Sequence, residues 1–357
     1  MRVKLIIASD STDSDNKVPV DNLLQKLHKN WEHYQLAVTA EDNKNSTAAK
    51  KPLKVIVCVS GGSDSVALLH LLQRQRTLLN LEPHLLHFNH QLRPEADHEQ
   101  DFVHALADQY EIPFHHKTAK HLKSGQSALQ ESAREWRIEE SCRLLKHLGG
   151  GRIATGHQAD DQLETLLLKL LRGTHISNLQ GMQWTNEDFI RPLLNCRKTE
   201  LQEYLKSNQL TWLEDTSNQS TAYLRNRVRL ELIPLLEELT RQGLHSRIND
   251  LSEQSRLLRE FLDSDYKSWQ QNHKNSAANS QDVLPVKILQ QANDLLQQEI
   301  LHDFITARTG QALSFRKLQN IFIQLRTGSN LWEMHLSQKW KICKSGEELC
   351  LQQNQQP

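Results

Sequence analysis

The sequence predicts an α/β fold: a parallel-sheet domain followed by a helical domain and a small C-terminal β element. From residue 52 to about residue 240, short apolar runs alternate with amphipathic ones, and a glycine-containing loop directly follows the first apolar run of this region. Helical patterns dominate after that point, until a final alternating stretch. Strands that alternate with helices are typical of a parallel sheet covered by helices.

Strands are predicted where short runs of apolar and β-branched residues stand between turn signals. The run from Val55 to Val59 is wholly apolar, as expected for a strand buried on both faces. The predicted strands are residues 55–59, 84–89, 114–117 and 152–155. Helical periodicity predicts helices at residues 66–74, 98–110 and 127–148. Ligands of such sheets bind at the carboxyl ends of the strands.

The regions on either side of this alternation have a different character. Before it, a helix is predicted at residues 22–38 and a polar linker at residues 39–51. After it, a second polar linker is predicted at residues 270–282, and a hairpin with its turn at Ser345 and Gly346 is predicted at residues 331–351. Further helices are predicted at residues 244–269, 289–308 and 314–325. We therefore divide the chain into an N-terminal extension with its linker (1–51), a catalytic domain (52–240), a helical substrate-binding domain (241–328) and a β-hairpin tail (329–357).

The composition argues against several classes of protein. Basic and acidic residues number 43 each, so a nucleic-acid partner would have to bind a local basic patch. No apolar run is long enough to span a membrane, and the N-terminus lacks a secretory signal. The 5 cysteines lack a C-x-x-C pair, and the 18 histidines, His87 and His90 included, lack the spacing of a metal site. These features predict a reducing compartment, the cytoplasm or a plastid stroma.

The loop Ser60-Gly61-Gly62-Ser63-Asp64-Ser65 joins the first predicted strand to a helix. Its glycines let backbone N–H groups approach phosphate oxygens, the helix N-terminus adds partial positive charge, and the serines donate hydrogen bonds. Asp64 would repel a polyphosphate unless a cation bridged the two, so we infer Mg²⁺. The lysine of a Walker A loop is missing, which argues against ordinary cleavage of the γ-phosphate.

The strand and its loop resemble the PP-loop of the N-type ATP pyrophosphatases, which include NAD synthetase, tRNA thiolation enzymes and lysidine synthetases. This resemblance implies that ATP is cleaved between its α and β phosphates, yielding an adenylate and pyrophosphate. His87-Phe88-Asn89-His90-Gln91-Leu92-Arg93 resembles the H-x-x-H-x-L-R segment of lysidine synthetases. It implies that His87 and Asn89 contact ATP and that Arg93 contacts tRNA.

A second motif is similar to another motif of the lysidine synthetases. It consists of Gly156-His157-Gln158-Ala159-Asp160-Asp161-Gln162-Leu163-Glu164-Thr165, followed in the sequence by Arg172 and Gly173. On a helix, His157, Asp160, Asp161 and Glu164 would share one face. Such a face suits Mg²⁺ binding and the orientation of an attacking amine. We expect Asp64 to hold Mg²⁺ together with Asp160 or Asp161.

A third motif combines acidic and basic residues. This motif resembles the E-D-x-S-N…R-N-x-x-R pattern of lysidine synthetases. It consists of Glu214-Asp215-Thr216-Ser217-Asn218, followed by Arg225, Asn226 and Arg229. Arginine forks suit phosphate recognition on tRNA. Arg134 and Arg137 resemble the family's A-R-x-x-R pattern. The tRNA-binding residues implied are Arg93, Arg134, Arg137, Arg172, Arg225, Asn226 and Arg229. Ile138 replaces the usual tyrosine, and residues 177–182 keep only part of the G-L-x-G-M segment.

The resemblance implies that the chain forms lysidine on the wobble cytidine of isoleucine tRNA with a CAU anticodon. The cytidine C2 carbonyl oxygen attacks the α-phosphate of ATP, and the ε-amine of free L-lysine then displaces AMP. His157, Asp161 and Glu164 would hold or deprotonate that amine. A homodimer is left open as an assembly state.

Three alternatives are left open by the sequence. A tRNA thiolation enzyme of the same fold would need a reactive cysteine pair, which the spacing of the cysteines does not provide. An amidating synthetase would need a source of ammonia. A non-catalytic nucleotide-binding paralogue would not need the intact loop and acidic helix that the sequence has.

Overall fold

The computed structural model describes residues 4–6, 20–38, 51–91, 96–119, 129–173, 176–214, 224–241, 243–273, 283–310 and 313–354. The chain forms two compact units. The first comprises Met1–Thr165 and Gly181–His245, and the second comprises Leu166–Gln180 and Ser246–Pro357. No helix in these described ranges is long and apolar enough to cross a membrane.

The first unit is an α/β structure. Its elements are β1 (Lys4–Ile6), α1 (Val20–His33), β2 (Leu53–Cys58), α2 (Ser63–Arg74), β3 (Leu81–Asn89), α3 (Ala96–Gln109), β4 (Phe114–Thr118), α4 (Leu129–His147), β5 (Arg152–Ala154), α5 (Ala159–Arg172), β6 (Thr185–Asn186), β7 (Phe189–Ile190), α6 (Lys198–Ser207), β8 (Trp212–Glu214), α7 (Leu224–Arg227) and α8 (Ile233–Leu239). Helix α5 ends within the second unit. A π-helical turn, Val228–Leu232, connects α7 to α8.

Six strands form the central sheet in the order β4-β3-β2-β5-β7-β6. All neighbours are parallel except β6 and β7, which pair antiparallel. This confirms the predicted α/β class, and the four strands predicted from the sequence are β2 to β5. Strands β6 and β7 were not predicted, because each has two residues and is too short to show a periodicity.

The sheet is buried because its central strands carry apolar side chains on both faces. Val55 and Val57 of β2 lie in one apolar cluster with α1, α2, α3 and α6, and Ile56 lies in another with α4. Helix α1 contributes Leu27 and Trp31 to the first cluster. The predicted N-terminal helix at residues 22–38 is therefore part of the core. Strand β1 pairs with β8 in a separate two-stranded sheet.

The second unit combines helices with an antiparallel sheet. Its further elements are α9 (Leu244–Asn272, which begins in the first unit), β9 (Val283–Pro285), α10 (Val286–Gln290), α11 (Asp294–Thr309), α12 (Phe315–Thr327), β10 (Leu331–His335), β11 (Trp340–Ser345) and β12 (Glu348–Gln353). The sheet order is β10-β11-β12-β9. The predicted turn at Ser345 and Gly346 joins β11 to β12, and Gly346 has the left-handed φ of 63° that such a turn needs.

The predicted separation of a helical domain from a hairpin tail at residue 328 does not appear as a division in this unit. Strand β9 lies within the predicted helical domain, yet it pairs with β12 of the tail. One apolar cluster contains Leu289 and Ile321 of the helices together with Ile342 and Leu349 of the sheet. The predicted helix 289–308 is two helices, α10 and α11. Asn293 caps α11 by accepting a hydrogen bond from the Leu296 amide.

Candidate active site

Four segments of the first unit meet at the carboxyl edge of its sheet. The loop 60–65 follows β2, Asn89 ends β3, Gly156 and His157 follow β5, and Arg191 follows β7. Because neighbouring parallel strands end at the same edge, the predicted ATP loop and the predicted acidic motif are brought together there. Gly156 lies against the backbone of Asp64, and a Cβ at residue 156 would stand 3.1 Å from the Asp64 carbonyl carbon.

The loop 60–65 is held in a tight turn by its own serines. The Ser65 hydroxyl accepts a hydrogen bond from the Ser60 amide at 3.2 Å and donates one to the Gly62 carbonyl at 2.9 Å. Gly61 has a φ of +91° and packs so closely on Leu213 that a Cβ would stand 2.9 Å from the leucine Cδ1 atom. The Leu213 amide donates to the Gly61 carbonyl at 2.9 Å. Strand β8 therefore supports the loop, which leads directly into the N-terminus of α2.

Asp64 lies in the first turn of α2, where its Oδ1 atom accepts a hydrogen bond from the Ser63 hydroxyl at 3.1 Å. Burial raises the pKa of Asp64, and the charge of Asp160 adds to that effect, whereas Lys198 and Arg229 oppose it. A carboxylate held beside another acid in a partly dry site is stabilised by a bound cation.

Asp160 and Asp161 face different surroundings, which corrects the prediction that all four polar groups share one helix face. Helix α5 begins at Ala159, so His157 precedes it, and consecutive helical residues point about 100° apart. Asp160 accepts a hydrogen bond from the Lys198 amide at 2.8 Å and pairs with His245 at 3.3 Å. Burial opposes the ionisation of Asp160, but these contacts outweigh it and lower the pKa of its carboxyl group.

Asp161 instead faces Asp64 and the arginines. Burial raises the pKa of Asp161 to about 6, and the neighbouring charges of Glu164 and Asp64 contribute to this rise. Its Oδ2 atom accepts a hydrogen bond from the Gln158 amide at 3.1 Å, and its Oδ1 atom lies 3.4 Å from Nη2 of Arg225. Asp161 thus lies among Asp64, Glu164 and the arginines, whereas Asp160 acts on Asp64 through its charge and is bonded to Lys198 and His245.

Glu164 is almost completely buried and is bound by two arginines. Its Oε2 atom accepts a hydrogen bond from Nε of Arg225 at 2.7 Å, and its Oε1 atom accepts one from Nε of Arg229. The side chain of Glu164 is only 1% exposed. The predicted tRNA contacts of Arg225 and Arg229 remain predictions, because in this structure both guanidinium groups bind the acidic residues of α5. Asn226 lies between them on α7 and is partly buried.

His157 lies in a strongly electropositive environment. Its Nδ1 atom is 2.9 Å from the Thr155 hydroxyl oxygen. Burial lowers the pKa of His157 to about 3, and the charges of Arg191, Arg134, Arg225 and Arg137 act in the same direction. The imidazole is therefore neutral at neutral pH, and it is a weak base for deprotonating an amine.

His87 and Asn89, both predicted to contact ATP, are buried and bonded within the protein. Nδ1 of His87 donates to the Val59 carbonyl at 2.9 Å, next to the loop 60–65, and burial lowers the pKa of this histidine. The Asn89 amide group donates to Asp97 at 3.0 Å, and its oxygen accepts from the Gln91 amide at 2.9 Å. These bonds position the backbone around the loop. Direct contacts with ATP stay a prediction.

The remaining predicted residues lie in several places. Arg134 and Arg137 are exposed on α4, and Arg172 is exposed at the end of α5. Arg93, Asp215 and Asn218 lie outside the described residues. Sequence reasoning missed Arg191, Lys198 and His245. A signal was available for Arg191, because it is the one charged residue within the apolar run 189–194.

No group of three or more histidine, cysteine, aspartate or glutamate side chains within the described residues is arranged to hold a metal ion. The charge of Asp64 helps to raise the pKa of Asp161, and the charge of Asp160 helps to raise the pKa of Asp64. Mg²⁺ commonly binds through one or two carboxylates and completes its coordination with phosphate oxygens and water. Asp64 and Asp161 therefore fit a cation that binds together with a nucleotide.

Comparison with known proteins agrees with this geometry. The family described as the PP-loop domain matches residues 33–236, which is more than half of the chain. The chain belongs to the PP-loop family. The match supports ATP as the nucleotide that the chain uses, and the assignment of the PP-loop to residues 60–65 stays a prediction.

The amino-acid sequence of the chain is also similar to those of curated members of known function. It is 31% identical to the tRNA(Ile)-lysidine synthase of Enterococcus faecalis over 84% of this chain and 66% of the relative. It is 35% identical to the tRNA(Ile)-lysidine synthase of Chlorobaculum tepidum over 58% of this chain and 64% of the relative. The chain thus spans less than two thirds of the length of each.

Among solved structures, the U34-tRNA thiolase NcsA of Methanococcus maripaludis, with its [4Fe-4S] cluster, is similar to this PP-loop chain in fold. The TM-score is 0.52 and the sequence identity 16%, covering 69% of this chain and 82% of the thiolase. At this identity the likeness concerns the fold alone.

Proposed function

We propose that this chain is a tRNA(Ile)-lysidine synthetase, which uses ATP to join the ε-amine of L-lysine to C2 of the wobble cytidine in isoleucine tRNA with a CAU anticodon. The observation that carries the proposal is the meeting of the PP-loop with Asp161 and Glu164 at one edge of the sheet. Its relatives named tRNA(Ile)-lysidine synthase support the same reaction.

In the first step, the cytidine C2 carbonyl oxygen attacks the α-phosphorus of ATP, and the bond to pyrophosphate breaks. The backbone N–H groups and hydroxyls of the loop 60–65 bind the departing pyrophosphate, helped by the N-terminus of α2. Asp64 and Asp161 would hold Mg²⁺, which supplies positive charge between the carboxylates and the phosphates. Asp160 is the alternative ligand, since its charge also acts on Asp64.

In the second step, the lysine amine attacks C2, and AMP leaves as the C2–O bond breaks. The amine must lose a proton, since an ammonium group has no free electron pair. Asp161, when it is not holding Mg²⁺, is better suited to accept this proton than His157, because a base works best when its pKa is near the working pH. The pKa is about 6 for Asp161 and about 3 for His157. Glu164, bound to Arg225 and Arg229, fixes the acidic face that orients the amine.

A thiolation enzyme of the same fold is the alternative from the sequence. Sulfur transfer requires a thiolate, and burial raises the pKa of Cys58 to about 11 and that of Cys196 to about 12. Burial also raises the pKa of Cys142. The thiols of the first unit are therefore poor nucleophiles, which favours the ligase.

The deciding experiment incubates the full chain with ATP, MgCl₂, labelled L-lysine and an unmodified isoleucine tRNA transcript. We expect lysidine in the digested nucleosides, with one AMP and one pyrophosphate released for each lysine incorporated. The control transcript carries uridine in place of the wobble cytidine and should take up no label. Absence of labelled nucleoside with the cytidine transcript contradicts the proposal, and sulfur incorporation from a sulfur donor would favour thiolation. We expect the reaction in the cytoplasm or a plastid stroma.

A further inference from the structure

Arg191 is a buried arginine at the carboxyl edge of the sheet for which the mechanism above has no use. It directly follows β7, whose last residue, Ile190, pairs with Ala154 of β5 and accepts a hydrogen bond from the Thr155 amide. Its side chain therefore begins beside the segment that carries Gly156 and His157. Arg191 is only 8% exposed.

The guanidinium group of Arg191 is incompletely bonded. Nη1 donates to the Gln183 carbonyl at 2.6 Å. Its Nε atom is buried without a hydrogen-bond partner among the residues that the structure describes. Within the same residues, no carboxylate lies within 4.0 Å of this guanidinium group. A buried charge without a counter-ion is costly, because burial removes its hydration and nothing replaces it.

The charged groups around Arg191 do not compensate it. The charge of Arg191 is the strongest single charge effect on His157, and Arg134 and Arg137 on α4 act on His157 in the same direction. Burial and the charge of Arg134 lower the pKa of Arg191 itself, although a guanidinium remains protonated at neutral pH. The charges of all three arginines thus act on His157 at the carboxyl edge of the sheet, and such a set suits a multiply bonded anion.

The position of Arg191 distinguishes among the anions of the proposed reaction. Strand β7 lies two strands from β2, and thus about 10 Å from the start of the PP-loop. Strand β3, whose residues His87 and Asn89 are predicted to contact ATP, lies on the opposite side of β2. An anion at Arg191 is therefore on the side of the loop away from these predicted ATP contacts, where the polynucleotide acceptor would approach.

We propose that Arg191, with Arg134 and Arg137, forms a subsite for a backbone phosphate of the tRNA next to the nucleotide that reacts. This rests on the proposed tRNA substrate. Arg191 binds the phosphate from the protein interior through its buried guanidinium group, and the exposed arginines of α4 bind it from the solvent side. The bound phosphate supplies the counter-ion that Arg191 lacks and holds the neighbouring base at the sheet edge.

Arg152 provides a matched control. It too is 8% exposed and donates from Nη1 to a carbonyl of the same region, that of Glu187, at 2.6 Å. It lies at the amino end of β5, the edge of the sheet opposite to the predicted site. Arg152→Gln therefore removes an equally buried arginine that also donates to a carbonyl, but one remote from the proposed phosphate.

The test measures tRNA binding by the full chain as a function of salt concentration. Each phosphate contact in a single-stranded region contributes about 0.7 to the slope of log affinity against log salt concentration. We expect Arg191→Gln to reduce the slope by about 0.7 and to weaken binding about tenfold at low salt. Arg191→Lys, which keeps the charge, should retain the slope, and Arg152→Gln should leave both quantities unchanged.

Two further measurements separate the sources of the anion. The Kd for ATP and the KM for lysine should be unchanged in Arg191→Gln. A rise in either one with an unchanged salt slope for tRNA would overturn the proposal in favour of a nucleotide or lysine carboxylate. Equal effects of Arg191→Gln and Arg152→Gln would also overturn it, since they would indicate a structural role for both.

The outcome for this subsite is distinct from the outcome for the reaction. Binding needs no chemistry, so an Arg191-dependent slope in a chain that forms no lysidine would support the subsite and contradict the ligase. If the chain forms lysidine and Arg191→Gln leaves the salt slope unaltered, the result would support the ligase and contradict the subsite.

Discussion

At the scale of single residues, Asp160 and Asp161 have the same side chain and different surroundings. Asp160 binds the first amide of α6 and His245, whereas Asp161 faces Asp64 and Arg225. Their surroundings predict separate roles, stability for the first and chemistry for the second. Sequence reasoning treated them as near equivalents, because neither the partner amide nor His245 is near them in sequence.

We expect Asp161→Asn to lower the rate of tRNA-dependent lysine incorporation by at least about 100-fold, since it removes the group that accepts the proton. Its free energy of unfolding should change little. Asp160→Asn should retain most of the activity but lose about 1–3 kcal/mol of stability with its charged hydrogen bonds. The measurements are steady-state rates and urea unfolding of both variants. Full activity in Asp161→Asn would remove this residue from the mechanism.

His70 of α2 gives a pH dependence of stability away from the site. Burial and the charge of Arg74 lower the pKa of His70 to about 4, and a 2.8 Å hydrogen bond joins its Nδ1 atom to the Tyr204 hydroxyl. The unfolded chain binds a proton here at higher pH than the folded chain. The stability that neutral His70 provides is therefore complete above about pH 6.5 and is lost as the pH falls towards 4.

Replacing His70 by glutamine should remove this part of the pH dependence. Between pH 7.5 and pH 5, the free energy of unfolding of the unaltered chain should fall by about 1–2 kcal/mol more than that of His70→Gln. Urea unfolding at the two pH values measures the difference. Parallel losses in both chains would mean that other groups cause the acid sensitivity.

At the scale of elements, the segment comprising α7 and the π-helical turn is attached to α5 by ion pairs. Arg225 and Arg229 bind the two oxygens of Glu164, one turn beyond Asp161. The extra residue in a π-helical turn shifts the following side chains, and such turns are frequent at functional sites. The geometry of the acidic face thus depends on a segment about sixty residues further along the chain.

The double substitution Arg225→Met with Arg229→Met leaves the buried carboxylate of Glu164 unpaired. We expect the free energy of unfolding to fall by about 2–4 kcal/mol, less than for a fully buried pair because both arginines are partly exposed. Adding Glu164→Gln to the double variant should recover part of the loss. If the third substitution destabilises the chain further, the carboxylate is not held by these arginines.

The elements differ in how far the sequence predicts them. Strands β2 to β5 and helices α2 to α4 were predicted because their apolar patterns extend over several residues. Strands β6 and β9 have two and three residues, which is too short for a pattern to emerge. The pairing of Glu164 with Arg225 and Arg229 depends on tertiary structure, which local periodicity does not contain.

At the scale of the whole molecule, the two units have separate apolar clusters. One cluster surrounds β2 and α2, and another joins α11 and α12 to the antiparallel sheet. The second unit includes residues 166–180, where the Ser255 hydroxyl donates to the Ile176 carbonyl at 2.7 Å. The boundary between the units therefore falls inside α5, four residues after Asp161, whereas the sequence pattern predicts no boundary there.

Because each unit has its own apolar cluster, we predict that the two units unfold separately and that ATP binding stabilises only one of them. We expect calorimetry to resolve two transitions, with Mg-ATP raising only the one for the unit that contains the PP-loop. At a ligand concentration of 100 times Kd, the gain is about 2.7 kcal/mol. Tryptophan substitution identifies the transitions, since Trp212 is buried in the first unit and Trp332 packs in the second. Equal shifts of both transitions would indicate a single cooperative structure.

The hydrogen bond from the Leu213 amide to the Gly61 carbonyl makes one proton a reporter for the PP-loop. Amide hydrogen exchange at Leu213 requires this bond to open, so its rate measures how often the loop leaves its bound shape. A nucleotide that rigidifies the loop slows this exchange, even though Leu213 itself need not touch the nucleotide. Occupancy of the PP-loop is thus readable from a single backbone position on a different strand.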